Sequence, residues 1–373
     1  MLASKDLEPD RSMMPTRVLV AMSGGVDSSV AAALLTRDNY DVIGVTFNQW
    51  PASLMASSTG NGCCTPNTID DARRVCSILD IPHYVVDYRK EFEAAVIDPW
   101  VTSYLSGETP NPCVMCNRTV RFGSFLTKAT ELGAEVIATG HYARIIHDIE
   151  SGTRKLLTAI DETKDQSYVL HVLGQQQLKR TLFPLGSMKK MEVRKVAAEL
   201  GLPVADKPES QEICFVPDNN HAAYVRKHGS TGSGQIVDMN GQHIGDHHGL
   251  EQYTPGQRRG LDLGGGTSPR YVISLDKNEN RITVGSKTDA YAKSIELRNV
   301  HWVSSNPPTK SSAVEVRTRY RMPVEPAIIS DVAGKTTVSF LNKAWAPAPG
   351  QAAVFYTGEE VLGGGTIDKV IHQ

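Results

Sequence analysis

Ala21-Met22-Ser23-Gly24-Gly25-Val26-Asp27-Ser28-Ser29 is the stretch that decides the fold. It continues the apolar run Val18 to Met22, which predicts a buried parallel strand, and it opens the Ala- and Leu-rich run Ser28 to Leu35, which predicts a helix. Glycines between a strand and a helix let the backbone approach a phosphate, and the helix N-terminus points its N–H groups at that phosphate. The stretch therefore predicts an anion-binding loop in an α/β domain.

The same stretch excludes one common kind of phosphate loop. A Walker loop needs Gly-Lys followed by Ser or Thr, and this stretch contains no lysine. Asp27 is unusual here because a carboxylate repels phosphates unless a metal or a hydrogen bond intervenes. The string Ser-Gly-Gly-Val-Asp-Ser-Ser instead resembles the pyrophosphate loop (PP-loop) of ATP pyrophosphatases, which transfer AMP from ATP to an oxygen. The alternative interpretation is an ordinary glycine-rich turn between a strand and a helix.

Composition bounds the class of protein. The chain has 373 residues, of which 40% are hydrophobic and 21% charged, so we expect two or three globular domains. A net charge of −2 means that any RNA site must be a local basic patch. No apolar run approaches the length of a membrane span, and residues 1–14 are predicted to be a disordered leader without the apolar core of a signal peptide. Six cysteines are too few for a disulfide scaffold, so we predict a cytoplasmic protein, with no membrane partner, whose thiols have chemical roles.

A second strand predicts where a ligand would bind. Asp41 to Phe47 is apolar and follows the first helix, so the chain begins with a βαβ unit and hence a parallel sheet. Ligands bind at the carboxyl ends of the strands in such sheets. The loop after Met22 and the end of the second strand near Phe47 should therefore flank one crevice. Gly140 directly follows another predicted strand, Glu135 to Thr139, and its backbone could approach a nucleotide there.

Two cysteines stand out by their surroundings. Cys116 follows the proline-rich segment 109–112 and precedes Asn117, where we expect a helix to start. A helix N-terminus favours a thiolate, and two nearby arginines add positive charge, so we predict that Cys116 is reactive rather than a small core hydrophobe. Cys214 lies in the polar loop 207–217, where a reactive role and a structural role are equally open.

The character of the sequence changes after about residue 222. Short apolar runs at strand spacing replace helical periodicity, and clear alternation from about residue 290 predicts a small β-barrel or sandwich. By the period of two in a strand, Arg317, Arg319 and Arg321 should share one face, either solvated or binding phosphate. We therefore predict domains at 15–222, 223–289 and 290–373.

Eight motifs in order now identify a family. They are the loop above, Thr-Pro-Asn-Pro-x-x-x-Cys-Asn at 109–117, Thr-Gly-His-Tyr-Ala at 139–143, Lys-Asp-Gln-Ser-Tyr at 164–168, Ser-Gln-Glu-Ile-Cys-Phe-Val at 210–216, Thr-Pro-Gly-Gln-Arg at 254–258, Arg-Tyr-Arg at 319–321 and Pro-Gly-Gln-Ala-Ala-Val-Phe-Tyr at 349–356. Together they resemble the tRNA-specific 2-thiouridylases, from Arg17 onward. The resemblance implies an α/β, parallel-sheet PP-loop ATP pyrophosphatase domain (adenine nucleotide alpha hydrolase-like), a small central β-rich domain and a C-terminal β-barrel that binds tRNA.

The resemblance also implies a reaction. Its substrate would be the wobble uridine of glutamate, lysine and glutamine tRNAs, adenylated at C2 by ATP with Mg²⁺ and then thiolated. Cys214 resembles the cysteine that carries a persulfide, loaded by a sulfur-relay donor protein, and Cys116 resembles its partner nucleophile. A Cys116–Cys214 disulfide would form as the sulfur leaves, and a reductant would reset it.

The remaining site residues are likewise carried over from the family. The nucleotide would contact Ala21 to Ser28, Phe47 and Gly140, and the target base would contact Asn111, Pro112 and Cys113. The implied tRNA contacts are His141, Lys164, Asp165, Gln166, Arg319, Tyr320 and Gln351. Arginines that bind phosphate and a tyrosine that stacks on a base suit an anticodon loop with splayed bases.

One position departs from the family pattern. Cys113 stands where many members carry an acidic residue three positions before the nucleophile, which puts the acid/base role at the target base in doubt. The change creates Cys113-x-x-Cys116, and with Cys214 these thiols could hold an iron–sulfur cluster, which is a hypothesis. Cys63-Cys64 has no role that the sequence supports. The rival functions are another adenylating ligase of the amidotransferase type and an RNA-binding or iron–sulfur carrier protein without catalysis.

Overall fold

The computed structural model describes residues 15–51, 66–209, 213–216, 220–264, 268–304, 311–332 and 334–372. The predicted leader 1–14, Cys63-Cys64 and the Ser-Gln-Glu of the 210–216 motif lie outside the described residues. Within those ranges, every helix is too short or too polar to cross a membrane.

The first sheet is parallel and has five strands. In spatial order these are β3 (His83–Asp87), β2 (Asp41–Asn48), β1 (Arg17–Ala21), β4 (Val136–Ala138) and β7 (Thr181–Leu182). The chain moves outward from β1 to β3 and then returns to the other side of β1 with β4. The strand order therefore reverses beside β1, and a crevice opens there at the carboxyl ends of the strands. This confirms the predicted parallel sheet and α/β class.

Helices cover both faces of this sheet because β1 is apolar on both sides. Val18 and Val20 are fully buried in one cluster with Val30, while Leu19 is fully buried in the opposite cluster with Trp100 and Phe125. In chain order the helices are α1 (Val26–Arg37), α2 (Pro66–Ile78), α3 (residues 89–105), α4 (residues 112–131), α5 (Ser167–Leu170), α6 (Gln175–Leu178), α7 (Lys190–Glu199) and α8 (His221–Arg226), with 3₁₀ turns at Leu250–Gln252 and Thr288–Ala290.

Helix α4 begins earlier than the sequence analysis predicted. It runs through Pro112–Cys116, the π-helical segment Asn117–Ser124 and Phe125–Glu131. The Asn111 side chain accepts a hydrogen bond from the Cys113 N–H at 3.0 Å and caps the helix, and Pro112 fills the first helical position, where a missing N–H costs nothing. The predicted start at Asn117 is therefore wrong, and Cys116 lies in the second turn rather than at the N-terminus.

Two further sheets follow in the chain. The central sheet has the order β10 (Tyr271–Asp276), β11 (Arg281–Gly285), β8 (Gly234–Val237) and β9 (His243–His247). The last sheet is a six-stranded barrel of β12 (Tyr291–Trp302), β15 (Lys335–Trp345), β14 (Glu325–Val332), β13 (Ser311–Arg317), β16 (Ala352–Thr357) and β17 (Glu360–Ile371), closed where β17 pairs with β12. The predicted β-rich central part and C-terminal β-barrel are confirmed.

A hairpin from the first domain extends the barrel sheet. Strands β5 (Arg144–Asp148) and β6 (Thr153–Leu157) pair with each other, and β6 pairs with β17 through Leu157 opposite Glu360. The first domain and the barrel thus share a hydrogen-bonded edge, which holds the barrel beside the crevice of the parallel sheet.

Arg317, Arg319 and Arg321 do not share a face. The strand ends at Arg317, and the chain turns through residues 318–322, so the period of two no longer applies. Arg317 and Arg321 line the cleft described below, whereas Arg319 donates hydrogen bonds to the carbonyl oxygens of Pro255 and Ala346 at 2.5 and 2.9 Å. The predicted common face is therefore wrong.

Candidate active site

One cleft of about 1180 Å³ lies at the carboxyl ends of β1, β2 and β4, next to the barrel. The residues predicted from the sequence that line it are Ala21 to Ser28, Phe47, Asn111, Pro112, Cys113, Cys116, Gly140, His141, Lys164, Asp165, Gln166, Cys214, Tyr320 and Gln351. Arg319 lies apart from this lining, against the two carbonyls named above. The fold thus brings the candidate nucleotide, cysteine and tRNA residues to one space.

The PP-loop (residues 21–29) is shaped by two close backbone approaches. Gly24 has φ +66°, and a Cβ there would lie 2.1 Å from the carbonyl oxygen of Thr68. A Cβ at Gly140 would lie 2.7 Å from the Ser28 nitrogen, so the β4 turn packs directly on the start of α1. Both positions therefore require glycine.

Serine hydroxyls brace the same loop. Ser29 Oγ donates to the Gly25 carbonyl at 2.9 Å, and Ser28 Oγ accepts from the Ser23 N–H at 3.1 Å. Gly25 is the N-cap of α1 and has no side chain to offer the first turn, which leaves that turn open toward the cleft. The N-terminus of α1 is therefore suited to an anion.

Asp27 is held by a lysine that sequence reasoning missed. Lys190 Nζ lies 2.7 Å from both carboxylate oxygens of Asp27, and the Tyr142 hydroxyl donates to Asp27 Oδ1 at 2.7 Å. Lys190 is only 8% exposed. Burial, followed by the Asp27 charge, raises the pKa of Tyr142 above its usual range, so the hydroxyl remains a donor.

Further cations surround the loop and are bridged by carboxylates. Lys207 Nζ donates to the Gly24 carbonyl at 2.8 Å and to Asp71 at 2.7 Å. Glu209 bridges Lys164 at 2.7 Å and Lys190 at 3.3 Å. Burial alone would raise the pKa of Glu209, but its bond to Lys164 and the charge of Lys190 outweigh burial and lower that pKa. The result is a wall of paired charges beside the loop, with three lysines against three carboxylates.

His141 is a neutral group in this wall. It is 6% exposed, and its Nδ1 lies 2.7 Å from Thr139 Oγ1. Burial, followed by the charge of Arg121, lowers the pKa of His141 to about 3. A neutral imidazole with that pKa is a poor general base and carries no charge for a phosphate. A buried hydrogen-bonding role therefore fits this geometry best.

The candidate tRNA residue Asp165 joins the first domain to the barrel. Its side chain accepts hydrogen bonds from the Ala159 and Ser167 N–H groups at 3.1 Å each, and it pairs with Arg317 at 3.2 Å. Arg317 belongs to β13 and also lies over the Tyr356 ring at 5.1 Å. Asp165 is therefore a buried organiser of the cleft wall.

The cysteines face the cleft from different elements. Cys116 is buried in α4 at 8% exposure, Cys113 is exposed one turn earlier, and Cys214 is half-buried in the segment 213–216. Gln49, which follows β2, donates from Nε2 to Cys214 Sγ at 3.8 Å. The fold brings the two predicted reactive thiols to one cleft although they lie far apart in the sequence.

The family models match the chain in three consecutive ranges. These are a tRNA methyl transferase HUP domain at 16–218, a tRNA methyl transferase PRC-barrel domain at 222–286 and an aminomethyltransferase beta-barrel domain at 292–367. The tRNA-specific 2-thiouridylase MnmA of Moorella thermoacetica is 47% identical to this chain, covering 94% of the chain and 99% of the relative. The chain belongs to the tRNA-specific 2-thiouridylase family.

Other members of the 2-thiouridylase family match over a similar extent. The relative from Chloroflexus aurantiacus is 47% identical over 94% of this chain and 98% of its own length. The relative from Geotalea uraniireducens is 44% identical over 95% of this chain and 96% of its own length. A 4-thiouridine synthetase–RNA complex with bound ATP matches 57% of this chain and 50% of its own at 16% identity, with a TM-score of 0.36, a likeness too weak to support any conclusion.

The iron–sulfur hypothesis finds no support in the thiol positions of this 2-thiouridylase family member. Across the described ranges, no group of three or more His, Cys, Asp or Glu side chains is arranged to hold a metal ion. A cluster held by Cys113, Cys116 and Cys214 is therefore not confirmed. ATP binding, in contrast, is consistent with the PP-loop domain of the family.

Three cleft residues had no assigned role in the sequence analysis. They are Lys190, Lys207 and Gln49, none of which belongs to a quoted motif. Nothing near Lys190 or Lys207 in the sequence marks Asp27 or Asp71 as its partner. The partners meet only in the fold, where Lys190 in α7 reaches Asp27 in α1, and Lys207 in the loop after α7 reaches Asp71 in α2.

Proposed function

We propose that this protein thiolates C2 of the wobble uridine of tRNA, using ATP and a cysteine persulfide. The observation that carries the proposal is one cleft lined by the PP-loop, Cys116 and Cys214 in a member of the 2-thiouridylase family. ATP would lie on Ala21 to Ser28, with Phe47 and Gly140 beside it.

The first step is adenylation of the base. The uracil O2 attacks the α-phosphorus of ATP, the bond to the β-phosphate oxygen breaks, and pyrophosphate leaves as the N3 proton is lost. The step is needed because AMP is a far better leaving group than an amide-like oxygen. The N-terminus of α1 and the lysines Lys190 and Lys207 would stabilise the departing charge. Mg²⁺ would neutralise the phosphates.

The second step is sulfur transfer, for which two routes balance. In one, the terminal sulfur of a Cys214 persulfide attacks C2 and displaces AMP, after which Cys116 attacks the Cys214 sulfur and frees the thiolated base. In the other, Cys116 first attacks Cys214 and releases hydrosulfide, which then attacks C2 and displaces AMP. Both routes end with a Cys116–Cys214 disulfide, and a dithiol returns two electrons and two protons.

The RNA would lie between the first domain and the barrel. The proposed target-base residues are Asn111, Pro112 and Cys113. Of the residues that the family resemblance implies for tRNA, Lys164, Gln166, Tyr320 and Gln351 are proposed to contact it from the cleft. His141, Asp165 and Arg319 are proposed to support the cleft wall instead. We assign the proposed domains to 15–222, 223–289 and 290–373. The proposed acceptors are glutamate, lysine and glutamine tRNAs, with a persulfide-carrying relay protein as the sulfur donor in the cytoplasm.

Nucleoside mass spectrometry tests the proposal directly. The protein is incubated with unmodified glutamate tRNA, ATP, Mg²⁺ and a persulfide donor, and the RNA is then digested. We expect sulfur to replace one oxygen on the wobble uridine, only with ATP and not with Cys116→Ser or Cys214→Ser. Release of AMP and pyrophosphate without sulfur gain would contradict the roles of the cysteines. If folded protein gives neither sulfur gain nor release of AMP and pyrophosphate, the proposed function is wrong and a carrier protein is favoured.

A further inference from the structure

Gln49 occupies an unusual position for a long polar side chain. It directly follows β2, two residues after Phe47, and only 1% of it is exposed. It nevertheless lines the cleft that holds the candidate nucleotide loop and both candidate cysteines. A buried amide in such a place needs a polar partner, and its partner identifies its role.

The partner of Gln49 is the sulfur of Cys214. Gln49 Nε2 lies 3.8 Å from Cys214 Sγ, within the range of an N–H···S hydrogen bond. An amide N–H that points at sulfur stabilises negative charge on it, whether on a thiolate or on a persulfide. The same contact fixes the segment 213–216 to the end of β2, so it also determines where the sulfur lies in the cleft.

The other end of the amide makes no competing contact. Gln49 Oε1 is buried and, among the described residues, accepts no hydrogen bond. In the structure the N–H end faces the sulfur. Rotation of the amide by 180° would place a carbonyl oxygen against the sulfur and favour the neutral thiol, so the two orientations predict opposite effects of Gln49 on the anionic form of Cys214.

We propose that Gln49 is a positioning residue for Cys214, which holds the sulfur in the cleft and favours its anionic form. This inference rests on the proposed function only for its effect on sulfur transfer. Its effect on the thiol itself can be measured without tRNA or ATP. Because Gln49 contacts the cysteine proposed to carry the sulfur, its loss should slow the second step of the reaction.

The test is the pH dependence of alkylation at Cys214 in the reduced full-length protein. Iodoacetamide labelling at each pH is quantified by peptide mass spectrometry, with the exposed Cys113 as an internal reference. Gln49→Met keeps the length of the side chain and removes its N–H. Gln49→Glu keeps the shape and replaces the donor with an acceptor, and Gln49→Asn retains an amide.

We expect the pH of half-maximal labelling at Cys214 to rise by about one unit in Gln49→Met, which is a roughly tenfold loss of thiolate below the midpoint. The rise should be larger in Gln49→Glu, partial in Gln49→Asn and absent at Cys113. Single-turnover sulfur transfer from a preloaded persulfide should fall by about three- to tenfold in Gln49→Met.

Two outcomes would overturn the inference. One is an unchanged midpoint in both Gln49→Met and Gln49→Glu. The other is faster labelling at every pH with the same midpoint, since that pattern means that Gln49 only shields the segment. If the wild-type protein fails to thiolate tRNA but the midpoint moves, the proposed function fails while the role of Gln49 at the sulfur stands.

Discussion

Lys190 illustrates how one side chain can control an anion site. Its ammonium contacts both oxygens of Asp27 and one oxygen of Glu209, and its side chain is 10% exposed. An unpaired carboxylate at the PP-loop would repel phosphate, so this lysine makes the loop compatible with ATP. The Tyr142 hydroxyl on Asp27 adds a second donor to the same oxygen.

We predict that Lys190→Met weakens ATP binding by about tenfold or more, because it leaves the Asp27 charge facing the phosphates. Isothermal titration with ATP and Mg²⁺ measures the effect. Lys195→Met is the matched control on the same helix, since Lys195 is 77% exposed and pairs with the exposed Glu199 one turn away. Equal ATP affinity in the parent and Lys190→Met would contradict the assigned role.

His141 should make the protein less stable in acid. Its pKa is lowered to about 3 by burial, against 6.5 in the unfolded chain, so the unfolded state binds more protons below pH 6.5. The free energy of unfolding should therefore decrease as pH falls from 6.5 toward 3. Between pH 8 and pH 5, His141 should lower it by about 2 kcal/mol.

Urea unfolding of His141→Gln and the parent at pH 8 and pH 5 tests this expectation. Between the two pH values, the free energy of unfolding should fall by about 2 kcal/mol less in the variant than in the parent. The exposed His147 provides the same substitution at the surface, where no such difference is expected. Identical pH dependence of the parent and His141→Gln would show that His141 is not buried as a neutral group.

At the scale of elements, the start of α1 is held by the turn that follows β4. Gly140 packs on the backbone between Asp27 and Ser28, and Gly24 packs on Thr68 at the start of α2. The PP-loop thus lies between two backbones, so its shape depends on the spacing of β1, β4 and α2.

We predict that Gly140→Ala reduces ATP affinity by about tenfold or more, because a Cβ 2.7 Å from the Ser28 nitrogen must displace the loop. Filter binding or titration with ATP measures the loss. Gly264→Ala is the control, since a Cβ at Gly264 meets nothing within 4 Å. ATP affinity within twofold of the parent in Gly140→Ala would contradict the packing argument.

At the scale of the whole molecule, the barrel is joined to the rest of the chain around the cleft. Arg298 in β12 pairs with Glu108 at 2.8 Å and with Asp368 at 2.7 Å, and Glu108 lies just before the cap of α4. Asp165 and Arg317 form a second link, and the β6–β17 pairing forms a third. The cleft therefore depends on how all three parts of the chain assemble.

Substitutions of Arg319 and Arg321, which follow β13, should distinguish a role in domain assembly from a role in RNA binding. Arg321 is exposed in the cleft, so Arg321→Ala should weaken tRNA binding and lower the salt slope of log K by about one. Arg319 holds one carbonyl of the central domain and one of the barrel, so Arg319→Ala should cost about 3 kcal/mol of stability.

Filter binding across a salt series and denaturant unfolding distinguish the two arginines. Each variant is the control for the other, because Arg321→Ala should leave the unfolding midpoint close to that of the parent. If Arg319→Ala is fully stable but lowers the salt slope, Arg319 contacts RNA as the family resemblance implies, and the packing role proposed here is wrong.

The sequence by itself determined the parts of this protein that depend on local order. The apolar run before Gly24-Gly25 predicted a buried strand, the alternation after residue 290 predicted the barrel, and the ordered motifs predicted the family. These features depend on periodicity and spacing, which neighbouring residues determine. A cap followed by proline at Asn111-Pro112 is also a local signal for the start of α4, although the start was predicted at Asn117.

Only the tertiary structure decided which charges and polar groups meet. Lys190 reaches Asp27 and Gln49 reaches Cys214 across more than 160 positions, and nothing near either residue in sequence marks its partner. Arg319 turns away from the cleft because the chain leaves β13 at Arg317, which follows from the barrel and not from the strand pattern. Long-range pairing is decided by packing of the whole chain, because burial sets the cost of leaving a charge or an amide without a partner.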